Sequence, residues 1–210
     1  MRAEKPNSNC WAALYPGLGN ANSLGAETQQ RFKPLEVLKT NVSRIVNFGC
    51  WPRTDGGFEP FALLWTFDAT EVHVVEKNNE HIRCAQEFAQ DLHRQKPDCF
   101  TLGCINMLPP RDITNPISDL PDSYYDGSFC ERVLLQVHKD YGTLGLTKAI
   151  AQMARVVRPG GWVIACEQPT EYLPDKMEIF FEEVGLTKYT DIDLIGILSH
   201  AYVYIKASAV

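Results

Sequence analysis

Several residues able to do chemistry stand just after short apolar runs in this chain. Arg44-Ile-Val-Asn-Phe48 stops at Gly49, and Gly56, Gly57 and Glu59 follow within one short loop. Glycines at such a place let backbone approach a ligand closely before a helix begins, although they also serve simply to relieve crowding. Glu76 closes the β-branched run that starts at Glu71. A carboxylate at a strand's carboxyl end can accept hydrogen bonds from both ribose hydroxyls of an adenosine ligand, and it can equally be a solvated strand end. Further along, His138, Tyr141, Glu167 and Gln168 follow two later apolar runs and are candidate general bases. His138 leads this group because it follows the fourth strand, although a histidine there is more often a packing or hydrogen-bonding residue, while Glu167 could equally cap a neighbouring helix.

These residues need elements to position them, and the periodicity supplies an alternating set. Strands are expected at Arg44–Phe48, Glu71–Glu76, Cys99–Leu102, Tyr125–Cys130 and Trp162–Glu167, with helices from Gly57 to Phe67, from Asn78 or Asn79 to about Leu92, and through Leu146, Ile150 and Val157. Pro109, Pro110, Pro116 and Pro121 mark a long loop before the fourth strand. Pro174–Val184 is a last helix, and Leu186–Ile192 and Ala201–Lys206 are two strands whose short link makes them antiparallel. The expectation is an α/β fold with a seven-stranded, mostly parallel sheet, an antiparallel last strand and helices on both faces. Residues 1–40 form an arm with a short helix over Thr28–Lys39, whose Trp11 and Tyr15 could cover the site as a lid; residues 41–210 form the domain. In such sheets ligands bind outside the carboxyl ends of the strands where their order reverses.

With the loop after the first strand, Glu76, Gly103-Cys-Ile-Asn-Met-Leu-Pro109 and Tyr125-Asp-Gly-Ser-Phe-Cys130 in place, followed by Arg158-Pro-Gly-Gly161, the chain from about Ile45 onward resembles the class I S-adenosylmethionine-dependent methyltransferases. Gly57-Phe-Glu59-Pro60-Phe61 and Cys130-Glu-Arg-Val133 are locally similar to chemotaxis receptor methyltransferases. The resemblance implies a Rossmann-like fold and S-adenosyl-L-methionine as cofactor, with S-adenosyl-L-homocysteine as product. It assigns cofactor contacts to Gly49, Cys50, Gly57, Glu59, Glu76, Lys77, Cys104, Ile105, Asn106, Cys130 and Glu131. It implies methyl transfer by in-line displacement to a small molecule or a protein side chain, with His138, Tyr141 and Glu167 as candidate catalytic residues. Two departures keep an inactive binding or scaffold module open as the alternative: Asn47 stands where the family has an acid, and Cys104 where it has an aspartate. A nicotinamide-dependent oxidoreductase ranks third, because the Pro-Gly-Gly turn and the terminal strand pair do not suit it.

Composition narrows the partners. With 210 residues, 45% hydrophobic and 22% charged, the chain has room for one domain with a sizeable core. A net charge of −6 and dispersed basic residues speak against nucleic acid. No run approaches the roughly 20 apolar residues of a membrane span, so a cytoplasmic location is expected. The seven cysteines lack CxxC or Cys/His spacing, so reduced thiols and no metal site are expected, although Cys50, Cys104, Cys130 and Cys166 all fall near strand ends.

Overall fold

Apolar runs too short for helices become the strands of one sheet in the computed structural model, which describes residues 32–39, 41–50, 59–95, 97, 102–167, 177–194 and 199–207. The elements are β1 (Arg44–Phe48), α1 (Glu59–Thr66), β2 (Glu71–Val75), α2 (Asn79–Gln95), β3 (Ile105–Met107), β4 (Tyr125–Glu131), α3 (Val133–Val156), β5 (Val157–Glu167), α4 (Met177–Glu183), β6 (Leu186–Leu194) and β7 (Ser199–Lys206). Short 3-10 turns occupy Lys33–Leu38 and Leu102–Cys104. The strands are ordered β3-β2-β1-β4-β5-β7-β6, and β7 runs antiparallel to both its neighbours. Order reverses between β1 and β4, which pair in parallel from Ile45↔Gly127 to Phe48↔Cys130.

Both faces of the sheet are covered, which is why β1 reads as a near-continuous apolar run. On one side Ile45, Phe61, Leu64, Trp65, Phe67 and Trp162 share a core with Phe32 and Leu35 of the first described segment. On the other, Val46, Phe48 and Tyr125 pack with Leu146, Ile150 and Met153 of α3 and Phe181 of α4.

The Arg158-Pro-Gly-Gly161 turn is a bulge inside β5. Tyr125 pairs with Val157 and Gly127 with Trp162, leaving Arg158–Gly161 opposite Asp126 alone. The Asp126 carboxylate fastens this bulge to the start of β1, accepting from Ser43 N (2.7 Å), Arg44 N (2.8 Å) and Arg158 Nε (2.6 Å). Burial pushes that carboxyl up, but the backbone donors and the guanidinium outweigh it and hold it below the ordinary range.

Two expectations are corrected. The third strand is not Cys99–Leu102: Leu102 lies in a 3-10 turn, and Ile105–Met107 pairs with Val72–Val74. An edge strand of three residues buries too little to print a period in sequence. The helix expected over Thr28–Lys39 is, within the described residues, a 3-10 turn over Lys33–Leu38 with Pro34 in its first turn. Trp11 and Tyr15 lie outside the described residues.

Candidate functional site

The carboxyl ends of β1 to β4 enclose a cavity of about 660 Å³ at the reversal point. Its wall is contributed by Gly49 and Cys50 after β1, Glu76–Asn78 after β2, Arg111–Ile113 after β3, and Glu131–Val133 with Gln136 and Asp140 after β4. Glu59 and His81, from the starts of α1 and α2, complete it. The size falls in the range of small-molecule sites, roughly 300–1,000 Å³.

Gly49 has φ +84°, and its N–H donates to Val75 O at 2.7 Å. A Cβ there would stand 2.5 Å from Val133 Cγ2, so glycine is required both by conformation and by the approach of α3. Beside it, Glu76 is 9% exposed. Its Oε2 accepts from Cys50 N at 3.0 Å and its Oε1 from Asn78 N at 2.8 Å, with His81 Nδ1 at 3.6 Å. Each carboxylate oxygen has further lone-pair capacity, so backbone fixes the group while leaving it able to accept from a ligand. Cys50 is buried, and burial together with Glu76 and Glu59 pushes its thiol far up, so it is an inert wall residue.

On the facing wall, Asp112 Oδ1 accepts from Thr114 N (2.9 Å) and Thr114 Oγ1 (2.8 Å), and Oδ2 accepts from Tyr141 Oη (2.9 Å). Burial raises this carboxyl, the three donors and Lys77 lower it, and the balance is a carboxylate held below its ordinary range. Arg111 donates to Glu76 O through its backbone (2.9 Å) and to Asp119 through its guanidinium (2.6 Å). That loop is thereby tied to the end of β2.

The structure thus brings Gly49, Cys50, Glu59, Glu76, Lys77 and Glu131 together around one cavity. It does not bring Cys104, Ile105, Asn106 or Cys130 there. Cys104 precedes β3 and Ile105 pairs with Val72, so both belong to the opposite end of the strands from the cavity. Asn106 Nδ2 donates to Glu71 Oε1 at 3.0 Å, again toward the start of β2, and Cys130 is wholly buried. Gly57 and Gln168 lie outside the described residues. Sequence reasoning missed Asn78, His81, Arg111, Asp112, Arg132, Gln136 and Asp140. Once β3 is placed at Ile105–Met107, the rule that ligands sit beyond strand carboxyl ends points directly at Arg111 and Asp112.

The three candidate bases fare differently. Glu167 is fully buried and caps α3 from below, its Oε1 accepting from Leu134 N at 2.8 Å. Burial pushes its carboxyl up to about 8 against the opposing hydrogen bonds from the Leu134 and Leu135 backbone. Of the two readings open for it, base or helix cap, its position is that of the cap: it is off the cavity and satisfies a helix end. His138 is half-buried and also off the cavity, with Nδ1 lacking a hydrogen-bond partner. Tyr141 sits at the rim, 48% exposed, and its hydroxyl is engaged by Asp112. Among the described residues no group of three or more His, Cys, Asp or Glu could hold a metal ion.

Solved structures superimpose on this arrangement along most of its length. The N-methyltransferase NodS from Bradyrhizobium japonicum, in complex with S-adenosyl-L-homocysteine, matches with a TM-score of 0.63 at 14% identity, covering 97% of this chain and 99% of that one. Magnesium protoporphyrin IX methyltransferase from Synechocystis, with bound S-adenosylmethionine, matches with a TM-score of 0.63 at 14% identity, covering 95% and 90%. The chain has the class I methyltransferase fold. The strand order, with its antiparallel β7, is that of this fold. The class I methyltransferase fold also carries other chemistry: the [4+2]-cyclase SpnF matches with a TM-score of 0.60 at 13% identity, covering 86% and 82%. No protein-family model and no curated protein sequence matches the chain. Among the described residues no helix is long and apolar enough to cross a membrane.

Proposed function

We propose that the chain binds S-adenosyl-L-methionine in the cavity between β1 and β4 and transfers its methyl group to a small molecule or a protein side chain. The observation that carries this reading is the Glu76 carboxylate, buried, held by two backbone N–H groups and facing a nucleoside-sized cavity at the strand-order reversal. Glu76 would accept the ribose hydroxyls. Asp112, on the corrected register of β3, would supply the acceptor for the adenine amino group that Cys104 cannot. The backbone at Gly49 and the carboxylate of Glu59 would meet the methionine end. Both methyltransferase structures compared above bear the donor or its product, which supports this assignment.

When bound, the sulfonium supplies the reactive methyl group, and the protein's task is to align an acceptor lone pair behind the breaking C–S bond. Alignment rather than proton removal is the expected contribution, because neither His138 nor Glu167 lines the cavity. Val133, Leu135, Val137 and Ile113 give the wall an apolar share that would exclude water around the reacting centre.

A second reading, a binding module without transfer activity, is favoured by Asn47. This residue is fully buried and off the cavity, and its amide lacks hydrogen-bond partners, so it supplies no acid at the methionine end. Incubation with methyl-labelled donor and fractionated cell extract separates the two. Label appearing in a fraction with wild-type protein and not with Glu76→Ala supports transfer. Tight binding of S-adenosylhomocysteine with no label in any fraction supports the module, and binding of NAD instead would overturn both.

A further inference from the structure

α3 carries one interruption: Gly142 has φ 63° and ψ −161°, a conformation reserved almost entirely to glycine. The kink divides the helix into two parts with different surroundings. Beyond it, Leu146, Ala149, Ile150 and Met153 are completely buried in the core. Before it, Leu134 and Val137 are anchored in the same core and Glu167 holds Leu134 N, while residues 138–141 form a largely exposed arm beside the cavity that Val133, Gln136, Val137 and Asp140 line.

Two polar contacts tie the end of this arm to loops on the other side of the mouth. Tyr141 Oη donates to Asp112 Oδ2 at 2.9 Å, joining α3 to the loop after β3. Lys77 Nζ lies 3.5 Å from Asp140 Oδ2, joining it to the end of β2, while Gln136 Nε2 donates to Asp140 Oδ1 at 2.7 Å. Thr114 already fixes the other Asp112 oxygen through two hydrogen bonds. Tyr141 therefore decides how Oδ2, the remaining acceptor on that wall, is aimed. The Tyr141 ring is 48% exposed and stands 5.8 Å from Lys77 Nζ, so the residue contributes little to the core.

We propose that Tyr141 is a positioning residue that acts through Asp112, aiming the wall carboxylate and clasping the 138–141 arm across the cavity mouth, with Gly142 as the hinge. A ligand in the cavity then leaves by breaking the Tyr141–Asp112 hydrogen bond and displacing this last turn at Gly142, while Leu134 and Val137 keep the first turns anchored. The part of this proposal that concerns a nucleoside ligand rests on the methyl-donor reading above; the closed arm itself does not. A hydrogen bond to a carboxylate is stronger than a neutral one, yet at an exposed rim it is weak enough to open often. Such a contact shifts the open and closed populations by a factor of about three to ten.

Tyr141→Phe keeps the ring and removes only the hydroxyl, so it is the deciding variant. Amide exchange in ligand-free protein is expected to become about fivefold faster in residues 138–141 and to stay unchanged beyond Gly142. Dissociation of S-adenosylhomocysteine, followed by stopped-flow, is expected to be about fivefold faster, with the thermal midpoint within about 2 °C of wild type. A Cβ at Gly142 would meet no atom within 4 Å, so Gly142→Ala opposes the kink through conformation alone and is expected to speed exchange in the same arm. Should Gly142→Ala not fold, Tyr141→Phe still decides. Unchanged exchange in the arm of Tyr141→Phe overturns the clasp. Wild-type protein that binds no S-adenosylhomocysteine overturns the donor reading instead, and the ligand-free exchange result then judges the clasp by itself.

Discussion

Replacing Glu167 with glutamine separates a helix-capping carboxyl from a catalytic one, and its effect can be worked from the structure. Glu167 is 0% exposed, and its carboxyl is raised from 4.5 to about 8, first by burial. The folded state therefore holds a proton that the unfolded chain has already released between these values. The contribution to stability is full below the unfolded value, declines as pH rises, and levels off above the folded one. At about 1.36 kcal/mol per pH unit the gross loss is ~5 kcal/mol. Relaxation and water access around the charged form reduce this to roughly 2–3 kcal/mol. Glu167→Gln keeps an oxygen for Leu134 N and does not titrate. Urea unfolding should give the two proteins similar stability at about pH 5, and should favour the variant by roughly 2–3 kcal/mol at about pH 8.5. Affinity for S-adenosylhomocysteine should stay within about twofold, because the side chain is off the cavity. Parallel pH profiles for the two proteins, or a variant less stable at high pH, would refute the reasoning.

Further expectations concern the cavity wall and the buried polar groups. Gly49→Ala should lower stability by about 1–3 kcal/mol in urea unfolding, through its positive φ and the contact with Val133, and Val133→Ala in the same chain should recover only the steric part. Asp112→Ala should weaken S-adenosylhomocysteine binding about tenfold by calorimetry, whereas Cys104→Ser should change it less than about twofold. Asn47→Val removes a fully buried amide that has no partner and should raise the thermal midpoint, by roughly 1 kcal/mol in stability terms; a fall would mean that the amide is satisfied by water.

Parallel strands buried on both faces print as apolar runs, so β1, β2, β4 and β5 could be found from residues alone, and the short link after β6 was enough to reverse β7. Glu76 was legible for the same reason: its strand fixed which end it occupied. β3 was not, because Ile105-Asn-Met is an edge strand too brief for periodicity, and the error moved the expected cofactor contacts to Cys104, Ile105 and Asn106 instead of Arg111 and Asp112. The role of Tyr141 was hidden for a different reason, and the choice between base and helix cap for Glu167 stayed open for the same one. A carboxylate that caps α3 and a hydroxyl that meets Asp112 depend on contacts between distant segments, which neither spacing nor composition encodes. The Gly142 kink was equally silent, since the helical pattern read from the sequence begins only at Leu146 and nothing there distinguishes Gly142 from Gly145, which does not bend the helix.

If the Glu76 carboxylate, fixed by Cys50 N and Asn78 N, holds the ribose of a nucleoside donor, titration calorimetry of S-adenosylhomocysteine separates wild type from Glu76→Gln and Glu76→Ala. Micromolar-range binding to wild type is expected, with a loss of at least about tenfold in Glu76→Gln and more in Glu76→Ala, in proteins that circular dichroism shows to be folded. Equal affinity in all three proteins, or no binding to folded wild type, would contradict that role of Glu76.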